Sequence, residues 1–403
     1  MLVVKEFTAE MKSAGFINLP EWKRRLQEIL SSLWREEALK FPVLGRENAE
    51  KPWMALDSGD FFAAVQTGIH FAGGNHVKKL PENIITTDAE LAIRRLLEGK
   101  HRQTFFSAAM GGTFAFQRVI CSEYAVAKPE KIMVQNDSVT SFVLSRMEKE
   151  GKTLEQAIHE AQWEKLAGGN PSQNLHGMVS RNRLVLQIAS IFGRLLRPED
   201  IFTTGISTLS LDDVRIAAEL GFSIRLLGIA RHQEGTIKAL VEPCMIPTRY
   251  LLAQVRGGSE MIYVRTSDGL TQVYSCPGTS PEIQVRGILS DLYDEGRTQK
   301  VDLTAPERIE PFADHFYLRF NIVNLTDTMA QLLQMLNRNG IEIEKIHQTA
   351  VAVSRETSDT AGYAVILITS RTTRDNLERA LGQIAGQVKL AGLKACFRYI
   401  RQA

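Results

Sequence analysis

The sequence predicts an α/β protein built in three parts, and three observations carry that prediction. Short apolar runs alternate with helix-like segments over residues 51–136, as in β-α-β units. Amphipathic helices followed by β-rich stretches fill residues 137–300, an α+β arrangement. The stretch 315–403 runs strand, helix, strand, strand, helix, strand, which is the order of a ferredoxin-like unit.

Taken in order, the first 50 residues are charged and helical. Trp22, Leu26, Ile29, Leu30 and Leu33 keep the 3.6-residue period after Pro20, which suits a first helical turn. IITTD at 84–88 reads as a strand end, and AELAIRRLLEG as the helix after it, closed by Gly99. TFFSAAMGG reads as the next strand and KIMVQND as another. SVTSFVLSRMEKEG and TLEQAIHEAQWEKL follow as helices, the second with Thr153 and Gln156 in capping-box spacing. MVSRNRLVLQIASIFG is a third helix, ended by Gly193. FSIRLLGIA, IKALVEPCMI, MIYVRTS and LTQVYSC are β-rich, and PEIQVRGILSDLYDEG is a closing helix. The polar, proline-bearing linker GRTQKVDLTAPERIEP leads to the last unit.

Composition narrows the function classes. The chain has 403 residues, 44% hydrophobic and 23% charged, as in ordinary globular proteins. A formal charge of +2, with no basic block interleaved with aromatics, argues against nucleic acid. The four cysteines, Cys121, Cys244, Cys276 and Cys396, have neither metal-ligand nor redox spacing and read as buried reduced thiols. No apolar run reaches membrane-spanning length and no signal-peptide pattern opens the chain, so a cytoplasmic protein without membrane partners is expected.

DIFTTGISTLSLDDVRIAAELGFSIRLLGIA, residues 200–230, resembles the substrate-domain signature of homoserine dehydrogenases. CPGTSPEIQVRGILSDL, 276–292, is similar to that family's glycine-proline-glycine segment and the helix behind it. The C-terminal unit resembles an ACT domain, the small amino-acid-sensing module that some of these enzymes carry. The resemblance covers roughly 84–400 and implies three regions. These are a degenerate Rossmann-like region with an N-terminal helix at 1–136, a catalytic and dimerisation domain at 137–300, and an ACT-like domain at 315–403. It also implies reduction of aspartate semialdehyde to homoserine with NAD(P)H.

Hydride transfer needs a bound dinucleotide, whose pyrophosphate ordinarily sits on a G-x-G-x-x-G turn at a helix N-terminus. No such motif occurs, so no cofactor is expected on the main reading. The resemblance places other losses at reacting positions. Where the family reads V-V-T-A-N-K, Asp88 and Ala89 stand at the Asn and Lys positions. The family's glutamate in E-A-S-V-A-G-G becomes Phe106, with Gly111 and Gly112 kept, and N-G-T-T-N-Y becomes DSVTSF from Asp137.

The loop AGGNPSQNLHGMVSRNR, 167–183, corresponds to the family's A-E-x-D-P segment, whose acids bind the substrate amino group. Its glutamate falls on Gly168, its aspartates on Asn170, Asn174 and Val179, and its lysine on Arg183, while Pro171 and Gly177 are kept. Arginine stays protonated at neutral pH and does not shuttle protons. Each lost charge-assisted bond is worth roughly 1.5–3 kcal/mol. The altered-pocket candidates are Asp137, Asn170, Asn174, His176, Arg181 and Arg183, which could equally be turn and surface residues. In the ACT-like unit, Asn324, Leu325, Thr326 and Asp327 replace the family's D-x-P-G turn. The effector-binding candidates there are Asn324, Asp327 and Gln348.

These losses lead to the expectation of a catalytically inactive homologue. It would be a homodimer that binds a protein partner or an amino-acid ligand near amino-acid metabolism, with no metal site. The alternatives are a functional homoserine dehydrogenase using NAD(P) through a rebuilt cofactor site, or an enzyme of another class that reuses the cavity.

Overall fold

The computed structural model describes residues between 84 and 401, with the longest undescribed stretches at 117–127 and 288–307. The expected helix around Trp22 to Leu33 and most of the closing helix after Pro281 lie outside the described residues.

A small parallel pair comes first: β1 (Ile84–Ile85), helix α1 (Ala89–Leu97) and β2 (Thr104–Phe105). Asp88 caps α1, its Oδ1 accepting from the amides of Glu90 (2.8 Å) and Leu91 (3.2 Å). The expected strand TFFSAAMGG stops after two residues and becomes a 3-10 turn over Ser107–Thr113. Gly111 sits there at φ 69°, a conformation that breaks any extended run.

The middle region contains β3 (Pro129–Gln135), α2 (Ser138–Glu150), α3 (Leu154–Trp163), the short α4 (Ser172–Leu175) and α5 (Met178–Phe192). The predicted capping box of α3 is present in both directions between Thr153 and Gln156. After β4 (Phe202–Thr203), helix α6 (Leu211–Glu219) begins with a second capping box, Ser210 with Asp213. The twelve-residue strands β5 (Phe222–Gln233) and β6 (Thr236–Pro247) form a hairpin, and β7 (Glu260–Thr266) pairs with β8 (Thr271–Cys276). β3 lies between β5 and β7, antiparallel to both. The strand KIMVQND therefore belongs to this sheet.

The last region follows the predicted order. β9 (Arg308–Ile309) precedes β10 (Ala313–Ile322), α7 (Leu325–Arg338), β11 (Ile343–Arg355) and β12 (Ser358–Thr369). Then come β13 (Thr372–Thr373), α8 (Arg374–Gln387) and β14 (Ala391–Tyr399). Its strands lie in the order β11-β12-β10-β14, and the apolar faces of both helices pack on them through Leu332, Leu336, Leu377 and Ile384.

The two regions share one sheet. β14 runs parallel to β6, with Arg398 opposite Cys244 and Tyr399 opposite Met245. The described path is β11-β12-β10-β14-β6-β5-β3-β7-β8. Two buried ion pairs cross the joint. Arg319 Nε meets Asp213 Oδ1 at 2.7 Å, and Arg398 pairs with Glu242.

Candidate functional site

The site forms where β3 ends and α2 begins. Asp137 is the N-cap of α2, so its Oδ1 accepts from the Val139 amide at 3.0 Å. The side chain is 2% exposed. Loop 170–177 folds over it, and Asn174 Nδ2 donates to the same Oδ1 at 3.0 Å. Oδ2 is buried and has no hydrogen-bond partner among the described residues, and the same holds for Asn136 Oδ1. Burial raises the Asp137 pKa, and the nearby Arg183 charge offsets part of that rise. The carboxyl is thus biased toward its protonated form.

α5 delivers Arg183 from the other side. Its Nη1 donates to the Asn136 carbonyl at 2.5 Å and lies 3.2 Å from Glu260 Oε1. Glu260 opens β7 and is fully buried. Its Oε1 also accepts from Ser138 Oγ and Thr279 Oγ1, both at 2.8 Å, and its Oε2 accepts from the Gly112 amide at 3.0 Å. One carboxylate therefore ties together the 3-10 turn, α2, α5, β7 and the 276–279 loop. Burying it without such partners would cost several kcal/mol.

Glycines make the close approach possible. A Cβ on Gly112 would stand 2.3 Å from the Pro277 carbonyl oxygen, and one on Gly278 would stand 1.8 Å from the Gly258 carbonyl oxygen. These contacts explain the glycines at both ends of this knot.

The sequence-predicted residues separate into two groups. Asp137, Asn174 and Arg183 converge. The other three do not join them. Asn170 is exposed and accepts from the Ser172 amide at 3.0 Å. His176 is exposed, its Nδ1 2.8 Å from the Ser172 carbonyl oxygen. Arg181 turns toward Asn182 Oδ1 at 3.3 Å. Gly168, where the family's glutamate would fall, lies outside the described residues. Arg183 is not an open cation, because Glu260 and the Asn136 carbonyl take up its charge. Sequence reasoning missed Glu260, Ser138 and Thr279; the only signal was a carboxylate opening the apolar strand EMIYV.

Of the effector candidates, Asn324 lies outside the described residues. Asp327 falls in the first turn of α7, and Gln348 is exposed on β11 opposite Val365. Among the described residues, no group of three His, Cys, Asp or Glu side chains is placed to hold a metal ion. No described helix is long and apolar enough to cross a membrane.

The profile of the homoserine dehydrogenase family matches residues 122–293, the span that holds this network apart from Gly112. That stretch of the chain is similar to homoserine dehydrogenases. The chain is 27% identical over 272 residues to a homoserine dehydrogenase of Pseudomonas aeruginosa, covering 62% of this chain and 61% of that one. A Lactococcus lactis homoserine dehydrogenase is 22% identical, with 68% of each chain covered. The fold matches a homoserine dehydrogenase structure from Thiobacillus denitrificans with a TM-score of 0.69 at 24% identity, over 79% of this chain and 76% of that one. These matches overturn the expectation of an inactive homologue and favour its alternative, a working member of the family. The physical reason lies in the site. The loop lost its acids, yet a buried carboxyl, a buried carboxylate and a guanidinium still meet there.

Proposed function

We propose that the chain is a working homoserine dehydrogenase, an NAD(P)-linked oxidoreductase that interconverts aspartate semialdehyde and homoserine. The observation that carries this reading is the buried Asp137, held at one oxygen by Val139 and Asn174 with its other oxygen unpaired beside Arg183. Buried polar atoms of this kind are costly and cluster where a ligand or reacting group completes their bonding.

Reduction of the aldehyde adds a hydride to carbon and a proton to oxygen. Asp137, biased toward its protonated form by burial, supplies that proton from Oδ2 and takes it back in the reverse direction. Arg183 fixes the polarity of the site without itself exchanging protons.

NAD(P), when bound, carries the hydride. The described residues fit the edge of its site. β1 and β2 are parallel and joined by α1, and the crevice beyond their carboxyl ends would border the cofactor. The same reading carries a homodimer, a cytoplasmic setting and a role for the C-terminal unit in pairing copies or binding an amino acid.

The test is homoserine-dependent reduction of NADP or NAD by the purified chain. A saturable rate is expected with at least one of them. A rate no higher than the protein-free background with both would overturn the proposal.

A further inference from the structure

A cavity of about 450 Å³ lies away from this network, where the last region meets the middle sheet. It is lined by Lys131 on β3, Arg231 on β5, Arg249, Arg401, and by Asp314 and His315 on β10. Four cations thus face one carboxylate. That carboxylate is already taken, because Arg398 Nη1 lies 3.2 Å from Asp314 Oδ2.

The strand register makes the imbalance specific. Lys131 and Arg231 are direct cross-strand partners, and Met133 and Ile229 are partners one step along the same face. Like charges placed opposite each other destabilise a sheet. Asp314 offsets this only in part, because the two cations share its one carboxylate with Arg398. Lys131 Nζ lies 5.8 Å from the Tyr263 ring and Arg231 lies over Phe312 at 5.2 Å. Arg231 Nε is buried with no hydrogen-bond partner among the described residues. Arg249 is exposed and stacks on Tyr250, and Arg401 reaches Glu344 at the rim. Burial, and then Arg231, pull the Lys131 ammonium down to about 8.

We propose that this cavity is a binding site for a small dianion, a phosphate group or a dicarboxylate, clamped between Lys131 and Arg231 with Arg249 at its mouth. The volume suits a metabolite-sized ligand, and guanidinium groups match both oxyanions bidentately. An occupant would bridge β3 and β5 of the middle region to β10 and the end of β14. It would therefore strengthen the joint between the two regions. The site is independent of the hydride-transfer reading, since it shares no residue with the Asp137–Arg183–Glu260 network.

The experiment is calorimetric titration of the full chain with inorganic phosphate and, separately, succinate, at constant ionic strength made up with chloride. Saturable binding of either anion is expected, and the anion preferred identifies the headgroup. Lys131→Met should weaken it by about tenfold or more, the loss of one charge-assisted contact. Arg249→Ala, at an exposed position, should weaken it less and leaves the fold as a control. Heat no different from the chloride blank for both anions would overturn the proposal. Unchanged affinity in both variants would overturn it as well.

Discussion

Glu260 and Lys131 sit on neighbouring strands of the same sheet and meet opposite fates. The Glu260 carboxylate accepts from Ser138, Thr279 and the Gly112 amide and pairs with Arg183. Lys131 faces Arg231 across the register, and the nearest carboxylate in their cavity is held by Arg398. A charge whose partners come from the chain itself is structural, and its removal leaves those partners buried and unpaired. Charges left facing their own kind call for a partner from outside. The difference shows which cluster holds the fold and which holds a ligand.

The largest effect is expected from Glu260→Ala. It leaves Arg183, Ser138 and the Gly112 amide without their acceptor, and removing one member of a buried pair costs about 3–5 kcal/mol. Urea unfolding should show the midpoint falling by that equivalent. A loss below about 1 kcal/mol would mean that water replaces the carboxylate and that the knot is not structural.

A smaller effect is expected at Gly205, which lets the 170–177 loop lie close. A Cβ there would stand 1.8 Å from the Leu175 carbonyl oxygen and 2.6 Å from His176. Gly205→Ala should cost about 1–3 kcal/mol through forced backbone shifts. Because the displaced loop carries Asn174, the homoserine-dependent rate should fall by more than the loss of folded protein explains. A rate that merely tracks the folded fraction would separate the loop from the site.

Much of this architecture was legible in the sequence, for local reasons. The capping box at Thr153 and Gln156, the glycine ends at Gly151 and Gly193, and the order of the last six elements all follow from short-range patterns. Helix α6 was hidden inside a stretch read for its family resemblance, although Ser210 and Asp213 carried its capping signal. The two-residue β2 was over-read, because small apolar residues in SAAMGG suit a buried turn as well as a strand. The β14–β6 joint, the Gly112 and Ser138 contacts of Glu260 and the Lys131–Arg231 pair depend on residues about 100 or more apart in the chain, and no periodicity reports such contacts. At the candidate site, the neutralised loop was visible in the sequence. The carboxylate that compensates for it was not, since Glu260 looks like any acid at the start of a strand.

At Lys131 the change in stability is smaller still. In the folded chain Lys131 titrates at about 8, against its ordinary 10.5. Between those values the unfolded chain holds the extra proton, so stability rises with pH across that window. Below pH 8 the ammonium is charged in both states, and the full cost of burying it beside Arg231 is present. Lys131→Met removes that cost, so the variant should be more stable than the parent at pH 7 by about 0.2–1 kcal/mol, the scale of an opposed like-charge pair. The advantage should shrink as pH rises from 8 to 10.5, read as the difference in urea midpoints between the two proteins. Phosphate should change the sign of the comparison. A bound dianion favours the charged lysine, raises its pKa toward the ordinary value and stabilises the parent but not the variant. An advantage for Lys131→Met that persists unchanged in phosphate would show two cations tolerated side by side with no ligand to reconcile them.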